Sequence, residues 1–276
     1  MKFILTILLS IYISLGYANQ PINVNDSLIF QQSIASSKSS KLSIGDDVIL
    51  VGKSFLNTPY VSNTLEGNKR EKLVINLSWV DCTTFVEYVL AIARSVHYGD
   101  SSFSEFRREL QEIRYRDGKL ADYNSRLHYF SDWLYNNEQM GILVKLDSSF
   151  QQSYYKPINF MSNHQNNYPI LKNNKSLLTE IKATEQALSS RKQFFIPKSN
   201  IADCESEFRN GDIVGITTNI AGLDIVHVGF IIFECGRAHL LHASSEKHKV
   251  VISEEPLADY LIRLKNRTGI MIARPQ

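Results

Sequence analysis

The stretch DCTTFVEYVLAIARSVHYG, residues 81–99, decides which fold the chain can adopt. Apolar side chains recur in it at the three- and four-residue spacing of one helix face. They are Phe85, Val86, Val89, Leu90, Ala93 and Val96. Gly99 ends the pattern, since glycine commonly follows the last turn of a helix. The stretch therefore predicts one long helix with a buried side, from residue 81 to about residue 98.

Cys82 lies in the first turn of this predicted helix, on the same side as Phe85 and Val86, because residues three and four apart share a helix face. The N–H groups and the dipole at a helix N-terminus favour a thiolate, so we expect the pKa of this thiol to be lowered. The same N–H groups can stabilise an oxyanion. A buried structural cysteine would also fit, since free cysteines are commonly buried.

A histidine interrupts an apolar strand pattern at residues 225–233. Strand alternation places five residues on one face of that strand. They are Ile225, His227, Gly229, Ile231 and Phe233. Gly229 leaves space beside the imidazole of His227. A histidine among apolar neighbours needs a hydrogen-bond partner or a functional role to offset the cost of its burial. A core histidine with a satisfied hydrogen bond is the simpler alternative.

A second histidine is predicted to lie beside the first. Residues 234–237 form a turn with Cys235 and Gly236 at its centre, so the flanking strands make a hairpin. In that register residue 229 pairs with 242 and residue 227 with 244. His227 and His242 then become diagonal neighbours on one face, roughly 7–8 Å apart at the backbone.

These positions supply the three groups of covalent acyl transfer. Cys82 is the candidate nucleophile, His227 the candidate base and His242 the residue that orients the base. The metal-dependent route has no sequence support, because no His-Glu-x-x-His run or paired-cysteine zinc spacing occurs. We therefore expect no metal and no cofactor.

The order of elements predicts an α+β fold, with helices first and a small antiparallel sheet packed on the nucleophile helix. Other helices are predicted at residues 45–56, 102–113, 124–137, 177–188 and 257–264, and other strands at 213–216, 240–243 and 270–273. Residues 19–43 are polar and predict a tail or a loosely packed leader. We expect a single catalytic domain over residues 19–276, with about residues 100–190 as a helical insertion flanking the cleft.

The N-terminus and the charge limit where the chain acts. Lys2, an apolar run at residues 3–15 and Ala18 form a secretory signal, with cleavage expected after Ala18. The run is shorter than the roughly 20 residues that span a bilayer, so we expect no stable membrane insertion after cleavage. The net charge of +2, with both signs interspersed, gives no footprint for nucleic acid. An exported protein with three cysteines leaves at least one thiol free; Cys204 and Cys235 either pair with each other or are both reduced.

The stretch Asp81-Cys82-Thr83-Thr84-Phe85-Val86-Glu87 resembles the nucleophile motif of the NlpC-type cell-wall hydrolases, a papain-like superfamily. Thr83-Thr84 replaces the Ser-Gly of the common D-glutamyl endopeptidases, and the chain is closer to the N-acetylmuramoyl-L-alanine amidase-like branch. Other segments resemble that branch in the same order. They are Thr58-Pro59-Tyr60-Val61 with Leu65-Glu66, Ser125-Arg126-Leu127-His128-Tyr129 with Trp133, Phe195-Ile196-Pro197, Gly211-Asp212-Ile213, Gly222-Leu223-Asp224 with His227-Val228-Gly229, and Leu241-His242-Ala243-Ser244-Ser245.

The resemblance implies hydrolysis of the amide between the muramic acid lactyl group and L-alanine, in peptidoglycan or muropeptides. It assigns the nucleophile, base and orienting roles to Cys82, His227 and His242. It also implies that Tyr60 supports the oxyanion. Arg126, His128, Tyr129 and Asp224 lie in matching segments and are predicted to line the substrate cleft. The family favours the periplasm as the location.

Two other functions stay open on the sequence. A stem-peptide endopeptidase would use the same cysteine and histidine and would differ only in what the cleft accepts. A non-catalytic cell-wall binding module would leave Cys82 inert or in a disulfide. The joint presence of nucleophile, base and orienting residue favours the hydrolase.

Overall fold

The structure is a computed structural model that describes residues 24–35, 43–68 and 70–276. The predicted export signal at residues 1–18 lies outside these residues. The helices are α1 (Val24–Ala35), α2 (Ile44–Ser54), α3 (Cys82–His97), α4 (Phe103–Arg114), α5 (Phe130–Gln139), α6 (Phe160–Asn163), α7 (Lys175–Ser190), α8 (Ile201–Cys204) and α9 (Leu257–Arg263). No helix in this described part is long and apolar enough to cross a bilayer.

The strands are β1 (Leu143–Lys145), β2 (Gln152–Ser153), β3 (Phe194–Pro197), β4 (Ile213–Thr218), β5 (Ile225–Glu234), β6 (Arg237–Ser244), β7 (Lys249–Ile252) and β8 (Arg267–Pro275). They form one sheet in the order β2-β3-β8-β4-β5-β6-β7, with β1 also paired to β8. Every paired strand is antiparallel. The predicted α+β class is therefore confirmed.

Helix α3 is the element on which the other layers pack. Its N-terminus is closed by a capping box, in which Asp81 accepts a hydrogen bond from the Thr84 backbone N–H at 2.8 Å. The Thr84 hydroxyl in turn accepts from the Asp81 N–H at 2.9 Å, so two N–H groups that a helix start leaves unpaired are satisfied. The helix lies between α2 and α4 and against β5 and β6.

The two faces of the sheet carry separate apolar cores, because side chains alternate along a strand. On β5, Val228, Phe230 and Ile232 pack into the core that contains α3. Ile231 packs into a second core, formed with α8 and α9 on the opposite face. A third cluster lies under α7. Within the predicted insertion, α4 belongs to the α3 core, whereas α6 and α7 carry the third cluster.

The prediction that residues 19–43 form a loose leader is wrong for the part that the structure describes. Residues 24–35 form α1, in which Phe30 and Ile34 are fully buried. The Asp26 carboxylate accepts a hydrogen bond from the Leu77 N–H at 2.7 Å. The polar composition hid the helix, since Phe30 and Ile34 at a four-residue spacing, with Ile29 beside them, are its apolar contacts with the core.

The predicted helix at residues 124–137 begins later than expected. Asp122 caps a short 3₁₀ turn at Tyr123–Ser125, and Arg126 continues in an extended conformation that bridges Tyr115. Helix α5 starts only at Phe130. The Leu127 N–H donates to the Arg114 carbonyl at the end of α4, and the Arg126 N–H donates to the Tyr123 carbonyl in the 3₁₀ turn. These bonds hold the chain in a non-helical path before Phe130.

A buried ion pair joins α3 to α4. The Arg114 Nε donates to Glu87 Oε2 at 2.6 Å, and its Nη1 donates to the Val74 carbonyl at 2.7 Å. Both side chains are almost entirely excluded from solvent. Removing one partner would leave the other charge buried without compensation.

We expect Glu87→Ala to lower the free energy of unfolding by about 3–5 kcal/mol, because it leaves the Arg114 charge buried without its carboxylate partner. The double variant Glu87→Leu with Arg114→Met should recover much of this loss. Glu254→Ala, which removes an exposed ion pair with Lys247, should change stability little. Urea unfolding of the three variants measures these differences, and an equal loss in Glu87→Ala and Glu254→Ala would contradict the prediction.

Candidate active site

Cys82 is the first residue of α3, where the sequence predicted it. Burial raises the pKa of its thiol to about 11, and the neighbouring Asp81 carboxylate contributes to the rise. Hydrogen bonding to the Val228 backbone and to Thr83 opposes this rise without reversing it. The lowering that we expected from the helix N-terminus is therefore outweighed by the loss of solvent and by a negative neighbour.

The thiol contacts β5 at the point where β5 and β6 separate. The ladder between the two strands runs from Glu234–Arg237 to Phe230–Leu241, which confirms the predicted hairpin register. Continued by two residues, the same register would pair Val228 with Ala243. The Val228 backbone instead lies close enough to the Cys82 thiol to lower its pKa, so the start of α3 meets the opening between the strands.

The predicted histidine pair is present. His227 Nε2 and His242 Nδ1 are 2.6 Å apart, and the two rings are nearly perpendicular at 88°. A Cβ on Gly229 would lie 3.0 Å from His242 Cβ, so only glycine leaves His242 this close to the strand. In the part of the chain that the structure describes, Nδ1 of His227 has no hydrogen-bond partner.

A β-bulge near the start of β5 changes which face of the sheet its first side chains point to. Ile216 pairs with His227, but Thr217 pairs with Ile225, which leaves Val226 as an extra residue. Ile225 consequently packs into the α3 core, whereas Ile231 packs into the opposite one. The prediction that residues 225–233 keep one alternation throughout is wrong, because a bulge reverses the side-chain parity.

Cys82 and His227 are held near each other through Val228, yet no hydrogen bond between thiol and imidazole occurs among the described residues. Burial, His242 and Arg267 lower the pKa of His227 to about 3. Burial also lowers the pKa of His242 to about 4. All three groups are therefore neutral at pH 7, and the resting site holds a thiol and two imidazoles.

Tyr60 belongs to the same site. It forms a parallel β-bridge with Val80, and Val80 is two residues before Cys82 in the chain. Burial raises the pKa of its phenol to about 12, and the nearby Cys82 sulfur and Asp81 carboxylate add to the rise. The hydroxyl stays protonated at neutral pH and can act as a hydrogen-bond donor beside the thiol.

Arg126 is connected to the candidate site by its contacts with a loop at residues 61–68. Its Nη2 donates to Glu66 Oε1 at 2.7 Å, and its guanidinium lies 4.8 Å from the ring centroid of Tyr123. Two residues before Glu66, the Thr64 hydroxyl donates to Asp81 Oδ2 at 3.0 Å. The loop thus joins the Arg126 guanidinium to the capped start of α3.

His128 and Tyr129 are engaged with protein groups around the insertion. His128 Nε2 lies 2.7 Å from the Tyr123 carbonyl oxygen, and burial lowers the pKa of this ring to about 3, so the neutral ring donates. The Tyr129 hydroxyl donates to Glu185 at 2.7 Å and accepts from the Met161 N–H at 2.9 Å. Contact with substrate stays a prediction for both.

Asp224 anchors the start of β5. Its carboxylate accepts hydrogen bonds at 2.8 Å from the Ser131 and Ile225 N–H groups, and burial raises its pKa. It therefore fixes α5 relative to the strand that carries His227. Its predicted part in the substrate cleft stays a prediction.

Sequence reasoning missed the part that Asp81, Thr64 and Glu66 play in shaping this site. Asp81 had a readable signal, since Asp-x-x-Thr before an apolar helix marks a capping box. The other two lie in a loop whose contacts depend on the fold. The remaining cysteines are free: Cys204 is buried and Cys235 is exposed in the β5–β6 turn.

Comparisons with known proteins identify a family and several similar solved structures. The profile of the AmiA-like family, described as N-acetylmuramoyl-L-alanine amidase-like, matches residues 50–270. No curated protein sequence matches the chain significantly. An N-acetylmuramoyl-L-alanine amidase from Bacteroides uniformis is 40% identical with a TM-score of 0.80, and the match covers 84% of this chain and 99% of that one.

Two further solved structures are similar. A protein from Bacteroides fragilis named as a xylanase is 42% identical with a TM-score of 0.76, over 81% of this chain and 98% of that one. A Legionella pneumophila protein at 22% identity and a TM-score of 0.69 covers 91% and 94%, and shows the fold alone. The profile match spans Cys82, His227 and His242, and the chain belongs to the AmiA-like family of N-acetylmuramoyl-L-alanine amidase-like proteins.

Proposed function

We propose that the protein is a cysteine-dependent N-acetylmuramoyl-L-alanine amidase, which hydrolyses the amide between the muramic acid lactyl group and L-alanine. One observation carries the cysteine mechanism: the Cys82 thiol lies at a helix N-terminus, close to the backbone of Val228 next to His227, whose ring is held by His242. The family and the named relatives support the amide substrate in peptidoglycan.

The first step starts from neutral groups. The sulfur of Cys82 attacks the amide carbonyl while the thiol proton moves to Nδ1 of His227. Because Nε2 of His227 and Nδ1 of His242 share one proton at 2.6 Å, the tautomer with the proton on Nε2 leaves Nδ1 free to accept. Proton transfer accompanies attack, since the raised pKa of the thiol and the lowered pKa of the imidazole disfavour a resting ion pair.

The tetrahedral intermediate carries a negative oxygen that needs donors. The first N–H groups of α3 lack partners within the helix, and the Cys82 N–H is the one nearest the sulfur. The Tyr60 hydroxyl, protonated at neutral pH, supplies a second donor. Together they form an oxyanion hole built mainly from fixed groups, which need little reorganisation during the reaction.

The intermediate then collapses. The C–N bond breaks, and the imidazolium of His227 returns its proton to the leaving amine of L-alanine. Water next attacks the thioester and gives one proton to His227. The C–S bond then breaks, His227 passes that proton to the sulfur and so regenerates the thiol, and the released lactyl acid ionises in solvent. His242 holds the ring of His227 in place during both proton transfers.

Several finer assignments belong to this proposal. The arrangement is of the papain-like NlpC type, since a helix with the nucleophile at its start packs on an antiparallel sheet that carries the base. The chain is exported to the periplasm after cleavage at Ala18. A stem-peptide endopeptidase and a non-catalytic wall-binding module are the competing outcomes of the experiment below.

Digestion of a defined muropeptide tests the reaction and the nucleophile together. Mass spectrometry should find free stem peptide beginning at L-alanine, and Cys82→Ala should abolish it. His227→Ala should reduce turnover at least about 100-fold, as is usual for loss of a general base. Cys235→Ala removes an exposed thiol outside the site and should leave turnover unchanged.

Other products would redirect the proposal. Cleavage within the stem peptide, lost in Cys82→Ala, would keep the mechanism and replace the amidase by the endopeptidase. Absence of product from both proteins, on muropeptides and on intact wall, would favour the binding module. Equal turnover by the parent protein and Cys82→Ala would exclude the cysteine mechanism.

The neutral resting state predicts how Cys82 reacts with iodoacetamide. Only the thiolate reacts, so a thiol with a pKa of about 11 should react about tenfold faster with each pH unit from 6 to 9. Asp81→Asn keeps an acceptor for the helix cap but removes the charge, and should speed alkylation at every pH. The Cys235→Ala background avoids a competing thiol, and a rate plateau between pH 5 and 8 would instead indicate a preformed thiolate–imidazolium pair.

A further inference from the structure

A groove of about 330 Å³ lies at the edge of the sheet, away from the cysteine. The β3 ladder on β8 ends at Ile270 and the β1 ladder begins at Ala273. On that side Met271 has no strand partner among the described residues, and Ile272 accepts one backbone hydrogen bond from the Leu146 N–H at 3.4 Å. The gap between the two short edge strands forms the groove. Helix α5 forms one wall of it, and its volume is that of a small-ligand site.

Two of the ionic groups in the groove already have partners. Lys145 pairs with Glu138, and Arg191 pairs with Asp132 at 3.2 Å. The guanidinium of Arg191 also lies 3.6 Å from the ring centroid of Tyr135. These contacts hold the wall rigid, so these groups are less available to a ligand.

Lys192 and Asp147 differ from these pairs. Both are exposed and line the groove, and neither has an ion-pair partner among the described residues. The Lys192 ammonium lies 5.0 Å from the ring centroid of Phe194, which is 41% exposed. The groove thus offers a cation, an anion and an apolar ring to one ligand.

This combination fits a short peptide that carries a carboxylate and an ammonium group. Lys192 would bind the carboxylate and Asp147 the ammonium, each as a charge-assisted contact, while Phe194 covers the aliphatic part. Peptidoglycan stem peptides with a diamino acid have this chemistry. A neutral glycan would leave both charged groups without a partner.

The groove is separate from the cysteine. Met271 pairs with Gly215, and Gly215 pairs with Val228, so two strand spacings of roughly 4.8 Å, about 10 Å in all, separate Met271 from Val228. The ring of Phe130 fills the space between, since its Cε1 lies 2.2 Å from where a Cβ of Gly215 would be. A peptide in the groove is therefore not continuous with one at Cys82 along this row of the sheet.

We propose that the groove binds a second, uncleaved stem peptide and so holds the enzyme on the intact wall. This inference rests on the proposed function, because it names which form of that substrate the enzyme prefers. Two linked contacts with a polymer make the second an intramolecular event, which raises the effective affinity without changing the chemistry. Small muropeptides, with one stem peptide each, cannot make both contacts at once, so the groove does not raise their effective affinity.

Backbone NMR of the Cys82→Ala protein tests the occupant directly. The probe is N-acetyl-L-alanyl-γ-D-glutamyl-L-lysine, in which the acetyl group stands in for the lactyl amide of an uncleaved stem. We expect it to shift the amide signals of Gln193 and Phe194, with about tenfold weaker binding in Lys192→Glu. Lys182→Glu, the same charge change at an exposed position on α7, should bind as the parent does.

The contributions of the peptide's carboxylate and ammonium groups to binding can be measured separately. Acetylation of the lysine side chain removes its charge and should weaken binding as much as Asp147→Asn does, with no further loss when the two changes are combined. Binding that falls equally in Lys192→Glu and Lys182→Glu would reduce the effect to net charge and overturn the proposal. An absence of shifts at Gln193 and Phe194 would overturn it as well.

Turnover gives the functional consequence. In the otherwise native protein, Lys192→Glu should slow release of stem peptides from isolated sacculi about tenfold and leave muropeptide turnover within about twofold. Lys182→Glu should change neither, and an equal loss on both substrates would contradict a separate binding site. The NMR experiment needs no turnover, so it tests the groove even if the amidase proposal fails. Muropeptide digestion by the parent protein, compared with Cys82→Ala, tests the amidase alone.

Discussion

The contact between the start of α3 and β5 is the constraint on which the candidate site depends. Asp81 closes the helix by capping it, so the chain turns into the helix at Cys82 and presents the thiol to the Val228 amide. That amide is available because β5 and β6 are no longer paired beyond Phe230. A capped helix start and an opening in the sheet are each ordinary features. Together they place the Cys82 thiol near Val228, the residue that follows His227 in the chain.

The same contact sets the electrostatic state of the site. Burial opposes charge on every group that it encloses, which raises the pKa of the thiol and lowers the pKa of both histidines. The carboxylate that caps the helix adds to this effect at Cys82. Burial and the cap at the N-terminus of α3 therefore oppose a resting thiolate. In the proposed mechanism the thiol proton moves to His227 only during attack.

The polar residues around the insertion serve a different purpose from the three central groups. Asp224 ties α5 to the start of β5, Tyr129 ties α5 to α6 and α7, and Arg126 ties the loop at residues 61–68 to the end of α4. All three are buried, and their hydrogen bonds to protein groups reduce the cost of burying them. Through these contacts the walls around the cysteine keep their positions relative to α3.

The sequence by itself determined the α+β class, the span of α3, the hairpin register and the identity of the cysteine and histidine pair, because these follow from local periodicity and turn geometry. Residues 81–98 repeat their apolar positions at helical spacing, and a two-residue turn at Cys235 and Gly236 fixes which residues of β5 and β6 face each other. Only the tertiary structure decided the pKa direction of Cys82, the bulge at Val226, the buried face of α1 and the late start of α5. Each of these depends on solvent exclusion or on hydrogen bonds between residues far apart in the chain, such as the Leu77 N–H with the Asp26 carboxylate, and no local pattern encodes such contacts.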